Sequence, residues 1–82
     1  MSQQFNAQNI KKRLSVLIFI KGSTAPLVLY SDDAMSLYEE LNQYMKSSQA
    51  ILIEKETTGP LKKVCFLSSQ LAAVAVQEEQ YV

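Results

Sequence analysis

The chain has 82 residues, 48% of them hydrophobic, and eight Lys/Arg balance eight Asp/Glu to a formal net charge of zero. That apolar fraction at that charge excludes a disordered chain, and the length holds one domain, which buries only about 60–65% of its unfolded surface. The single Cys excludes an intrachain disulfide framework, and the absence of His removes the commonest metal ligand and general base.

Residues 1 to 9 are mostly polar and aperiodic and read as a flexible lead-in, with Phe5 able to dock on the body; residues 10 to 82 read as a single domain. Lys11-Lys12-Arg13 followed by the apolar run Leu14 to Ile20 has the order of a secretory signal. The run is short, ends at Lys21, lacks a small-x-small cleavage pattern and is rich in β-branched residues. It therefore reads as a buried strand over Leu14 to Lys21. No stretch approaches the ~20 apolar residues that span a bilayer, so a cytoplasmic location without membrane contact is expected. Gly22-Ser23-Thr24-Ala25 supplies a turn with Gly22 free to take positive φ, and Pro26 to Tyr30 returns as the second strand of a hairpin.

Ser31-Asp32-Asp33 supplies helix-capping side chains and places two carboxylates at the positive end of a helix dipole. Ala34, Leu37, Tyr38, Leu41, Tyr44 and Met45 recur at three- and four-residue intervals and form one apolar stripe. Ser36, Glu39, Glu40, Gln43 and Ser47 take the solvated side, Lys46 suits the helix C-terminus, and the helix is expected to end near Ser47-Ser48. The last third reads as a three-stranded meander. Its strands are Ala50 to Glu56, Leu61 to Leu67 and Leu71 to Gln77, with turns at Thr57-Thr58-Gly59-Pro60 and Ser68-Ser69-Gln70 and a frayed tail from Glu78 to Val82. The fold class is α+β in the order ββαβββ: a mainly antiparallel five-stranded sheet, or a small open barrel, carrying one amphipathic helix.

The first strand is apolar on both faces, with Leu14, Val16, Ile18 and Ile20 on one and Leu17 and Phe19 on the other. Strand two repeats this with Leu27 and Leu29 against Val28 and Tyr30, whereas a one-sided antiparallel sheet alternates apolar with polar. One helix covers one face only. Burying an exposed leucine-sized side chain gains roughly 1.5–3 kcal/mol, so either the sheet curls into a barrel or another copy of the chain covers the second face. The expectation is a homo-oligomer, a dimer or small ring, whose self-association face carries Leu17, Phe19, Val28 and Tyr30.

Motifs for chemistry are scarce. Lys21-Gly22-Ser23-Thr24 has the letters of a phosphate loop, but Lys precedes the Gly and a hairpin follows where a helix must start, so it reads as turn chemistry. Cys65 lies between Val64 and Phe66 inside a predicted strand, has no His to form a thiolate, and reads as structural. The doublets Asp32-Asp33, Glu39-Glu40 and Glu78-Glu79 are adjacent pairs whose side chains diverge, unlike the facing carboxylates of an acid/base site. No catalytic, metal-binding or cofactor site is expected, and the leading reading is a non-enzymatic protein acting through protein contacts. The alternative is a nucleic-acid-binding module. Six of the eight cations, Lys11, Lys12, Arg13, Lys21, Lys62 and Lys63, lie outside the helix, and with an exposed aromatic they supply phosphate contacts and stacking. Zero net charge argues against it, and Lys11 to Arg13 also suit a gatekeeper role before an apolar strand.

Overall fold

A computed structural model describes residues 11–81. The lead-in read at residues 1 to 9, Phe5 included, lies outside the described residues. The elements run β1 (Lys11–Ile20), β2 (Leu27–Tyr30), α1 (Ala34–Lys46), β3 (Leu52–Glu56), β4 (Lys63–Leu67) and β5 (Leu71–Tyr81), with a 3-10 turn at Ser68–Gln70. The order and the α+β class are those the hydrophobic patterning predicts.

The sheet differs from the expectation. The strands form two open antiparallel sheets, a three-stranded one in the order β2-β1-β5 and a separate β3-β4 pair. They form neither a single five-stranded sheet nor a barrel. The cause lies in the length of β1, a ten-residue strand with only two edges. The tight turn at Gly22 (φ 83°) folds β2 onto one edge, and β5 returns from the end of the chain to fill the other. The intervening strands pair with each other instead, Leu52 opposite Leu67 through Glu56 opposite Lys63. The meander read in the last third is therefore a hairpin followed by a crossing strand.

The expected fray at the C-terminus is also corrected. Glu78 to Tyr81 continue β5 and pair with Leu14 and with Lys11 to Arg13, the three residues expected to precede the first strand. Arg13 faces Glu79 and forms an ion pair with it (3.3 Å), while Lys12 faces Gln80 and Leu14 faces Glu78, so the polar ends extend the ladder by backbone pairing and one charge pair rather than by apolar burial. Hydrophobic alternation marks only the inner part of each strand, which is why both boundaries read short.

The helix forms as its sequence dictates. Ser36 donates its backbone N–H to Asp33 Oδ1 (3.1 Å), the expected cap, and the last turn closes with the Ser47 N–H on the Tyr44 carbonyl (3.2 Å). Its stripe buries Ala34, Leu37 and Leu41 against Val16, Ile18 and Leu29 of the sheet, and Ile53, Val64 and Leu71 complete the core. Leu41 and Ile18 are fully excluded from solvent. Glu40, expected on the solvated side of the helix, instead accepts from Lys55 Nζ (2.5 Å) and the Tyr44 hydroxyl (3.2 Å), tying the helix to β3. At the other end of the hairpin the buried Ser68 Oγ accepts from the Ile51 N–H (2.8 Å) and donates to the Gln49 carbonyl (3.1 Å). Among the described residues no helix is long and apolar enough to cross a membrane.

Candidate interaction surface

Strand pleating sends alternate side chains of β1 to opposite faces. Val16 and Ile18 enter the core under α1, so Ser15, Leu17 and Phe19 point away from it. Leu17 faces Val28 on β2 and Ala75 on β5, Phe19 faces Ala73, and Ser15 lies between Tyr30 and Gln77. The structure thus brings Leu17, Phe19, Val28 and Tyr30 onto one face, as the alternation predicts. None of the four belongs to the buried core cluster, and Phe19 retains 36% of its accessible surface. Leu17 and Val28 are half-buried by their strand neighbours, and Ala73 and Ala75 extend the apolar strip onto β5.

Tyr30 differs from its three companions because a polar cluster holds it within the chain. Its hydroxyl bridges both carboxylate oxygens of Glu79, at 3.0 Å each. Glu79 also accepts from Ser15 Oγ (3.2 Å) and from Arg13 Nε (3.3 Å), and the Arg13 guanidinium lies 4.0 Å from the centroid of the Tyr30 ring. Gly59 in the β3–β4 turn approaches that ring, and Thr58 donates its N–H (3.0 Å) and hydroxyl (3.2 Å) to the Tyr30 carbonyl. Ser15 is fully buried, and its single proton is satisfied by Glu79.

The electrostatics follow from these contacts. Partial burial pushes the Glu79 carboxyl up, but hydrogen bonds from Tyr30, Ser15 and Arg13 outweigh it and hold the group below its ordinary 4.5. The same bond to Glu79, reinforced by desolvation and by the carboxylate charge, raises Tyr30 above its ordinary 10.0. The cluster was not legible in the sequence as a unit. Its one local signal is Ser15, the sole polar residue in the run Leu14 to Ile20. Glu79 lies 49 to 66 positions from Tyr30, Ser15 and Arg13 and meets them only once β2 and β5 have paired with the two edges of β1.

The basic residues occupy several places. Lys12 and Arg13 line an open cleft of about 440 Å³ beyond the end of β2, with Tyr30, Asp32, Thr58 and Gly59 on its other walls. Lys21 follows the opposite end of β1, about 25 Å away at ~3.3 Å per strand residue. Arg13 is engaged by Glu79, and Lys63 lies 3.4 Å from Glu54 and 4.0 Å from Glu56. Lys11 belongs to β1, and Lys62, whose carbonyl accepts the Thr57 N–H (2.9 Å), precedes β4. Cys65, expected inside a packed strand, is exposed on the outer face of the β3–β4 hairpin, opposite Glu54. Among the described residues no three His, Cys, Asp or Glu side chains come together as a metal site requires. Compared with protein-family models, curated proteins and solved structures, the chain matches none.

Proposed function

We propose that this chain is a non-enzymatic, self-associating module that acts through protein contacts made by the sheet face opposite α1. The observation that supports the reading is the strip of Leu17, Phe19, Val28, Ala73 and Ala75 on that face, to which the buried core contributes nothing. Apolar strips of this kind, rimmed by polar groups, mark association surfaces. Here the rim is the Arg13–Ser15–Tyr30–Glu79 cluster, which fixes the geometry of the strip's end. Each apolar side chain taken from water on association gains roughly 1.5–3 kcal/mol when fully buried.

Tyr30 belongs to the frame of this surface more than to its contact area, since its hydroxyl and ring already have partners within the chain. Phe19 is the anchor. Light scattering on size-exclusion chromatography tests the reading. The unaltered chain elutes as an oligomer, and Phe19→Asp, with its circular dichroism spectrum intact, shifts to the monomer mass. A folded Phe19→Asp variant with the parent mass removes the face from the interface. Salt-dependent binding of labelled RNA or DNA by a monomeric parent chain favours the basic residues instead.

A further inference from the structure

β1 and β5 run on together past the core of the fold. β2 pairs with β1 from Ser15 to Ile18 only, so among the described residues β5 is the one strand partner of residues 11–14. Leu14 lies on the same side of β1 as Val16 and Ile18. Those two are fully buried, whereas Leu14 keeps 37% of its accessible surface. The core ends there, for none of residues 11–14 or 78–80 belongs to it. Beyond it lies the open cleft of about 440 Å³, lined by Lys12, Arg13 and Leu14 from the paired ends and by Ser31, Asp32 and Gly59 from the body. Polar contacts tie these ends to the body. Glu79 accepts from Tyr30 on β2 (3.0 Å) and from Ser15 (3.2 Å), and the Arg13 guanidinium lies 4.0 Å from the centroid of the Tyr30 ring. Between the ends themselves, Arg13 pairs with Glu79 (3.3 Å), and the register sets Lys11 diagonal to Glu79 and Lys12 diagonal to Glu78. Long side chains reach across such diagonals.

We propose that residues 11–14 and 78–81 form a strap that parts as one unit, hinged where Ser15 faces Gln77, while the core stays folded, and that Glu79 is its latch. Segments with little buried apolar surface and exposed backbone bonds sit at the low-stability end of a fold and open as contiguous units. Losing the last pair alone, Lys11 with Tyr81, leaves the latch closed. Parting at Arg13 and Glu79 breaks the bonds of Glu79 to Tyr30, Ser15 and Arg13 together, so the latch makes the opening a single step. Opening also releases the Tyr30 hydroxyl and ring, and that ring lines the cleft. The strap thus controls access to the cleft and to Tyr30, whether or not the chain self-associates.

Native-state hydrogen exchange on the full chain, read residue by residue by NMR, tests the strap. Its protected amides are expected to share one protection factor and to exchange at least about tenfold faster than those of Val16 and Ile18, which lie between two strands. Ile53→Val, which takes one methyl group from the core, is expected to speed Val16 and Ile18 about fivefold and leave the strap unchanged. Glu79→Gln keeps the shape of the latch without its charge and is expected to speed every strap amide by one common factor of about ten. Equal protection of strap and core in the parent chain, or an equal effect of Ile53→Val on both, overturns the separate unit. Protection graded from residue 81 inward reduces the ends to fraying and overturns the single step. A strap unchanged by Glu79→Gln overturns the latch. The parent chain and Ile53→Val decide the unit even if Glu79→Gln does not fold, and none of these rates bears on the mass shift of Phe19→Asp.

Discussion

The Tyr30 hydroxyl donates to a carboxylate, Glu79, that lies 49 positions away in the sequence and reaches it from the far side of β1. β2 and β5 are never adjacent in the sheet; they meet over Ser15, the small residue of β1 that separates them. A larger side chain at that buried position would fill the space the two longer ones cross. The contact therefore locks both outer strands to the central one and sets the polar rim of the proposed interface.

Replacing Glu79 with Gln is expected to flatten the acid limb of the stability profile. The folded chain holds the Glu79 carboxyl below its ordinary 4.5, so its ionised form stabilises the fold at higher pH. That contribution is complete above the unfolded value and is lost as pH falls through the folded one. Urea unfolding of the parent and of Glu79→Gln between about pH 6 and pH 3 should show their stabilities converging as the pH drops. A stability difference that is constant across that range would show that the charge of Glu79 is not what the cluster uses.

Tyr30 supplies the opposite limb. Its hydroxyl titrates above the ordinary 10.0 because the proton is held on Glu79 and a tyrosinate there would face a carboxylate. Raised in the folded state, the group contributes stability that is whole below the unfolded value and disappears as pH rises through the folded one. Spectrophotometric titration of the four tyrosines should therefore lose its most alkaline component in Tyr30→Phe. Retention of that component in the variant would assign it to another tyrosine.

Legibility in the sequence followed the length scale of the signal. The helix was readable to within a residue or two because Asp33, the Leu37–Leu41 stripe and Lys46 all act locally. The shared face of Leu17, Phe19, Val28 and Tyr30 was readable because pleating is strictly alternate and the hairpin turn is short. The pairing of Lys11 to Leu14 with Glu78 to Tyr81 was not, since its favourable terms arise only after segments 64 or more positions apart are brought together. The division into two sheets was hidden for a related reason. Both the observed arrangement and a five-stranded sheet satisfy the same alternation, and what separates them is which edge of β1 receives β5.

The two glycines are required for different reasons, and one set of variants separates them. Gly22 sits at φ 83° with open space around it, so Gly22→Ala destabilises through the backbone alone, by about 1–2 kcal/mol. Gly59 has no such backbone constraint; a Cβ there would come within 2.0 Å of Tyr30 Cδ2 and 2.9 Å of Cε2. The ring has little freedom to give way, with its hydroxyl on Glu79 and the Arg13 guanidinium 4.0 Å from its centroid. Gly59→Ala is therefore expected to cost about 1–3 kcal/mol, the usual range for overpacking. In a Tyr30→Ala background the ring is gone and the cost of Gly59→Ala should vanish, whereas that of Gly22→Ala should persist unchanged. A double-mutant cycle by urea unfolding measures both, and an undiminished cost for Gly59→Ala without the ring would place its origin in the turn rather than in Tyr30.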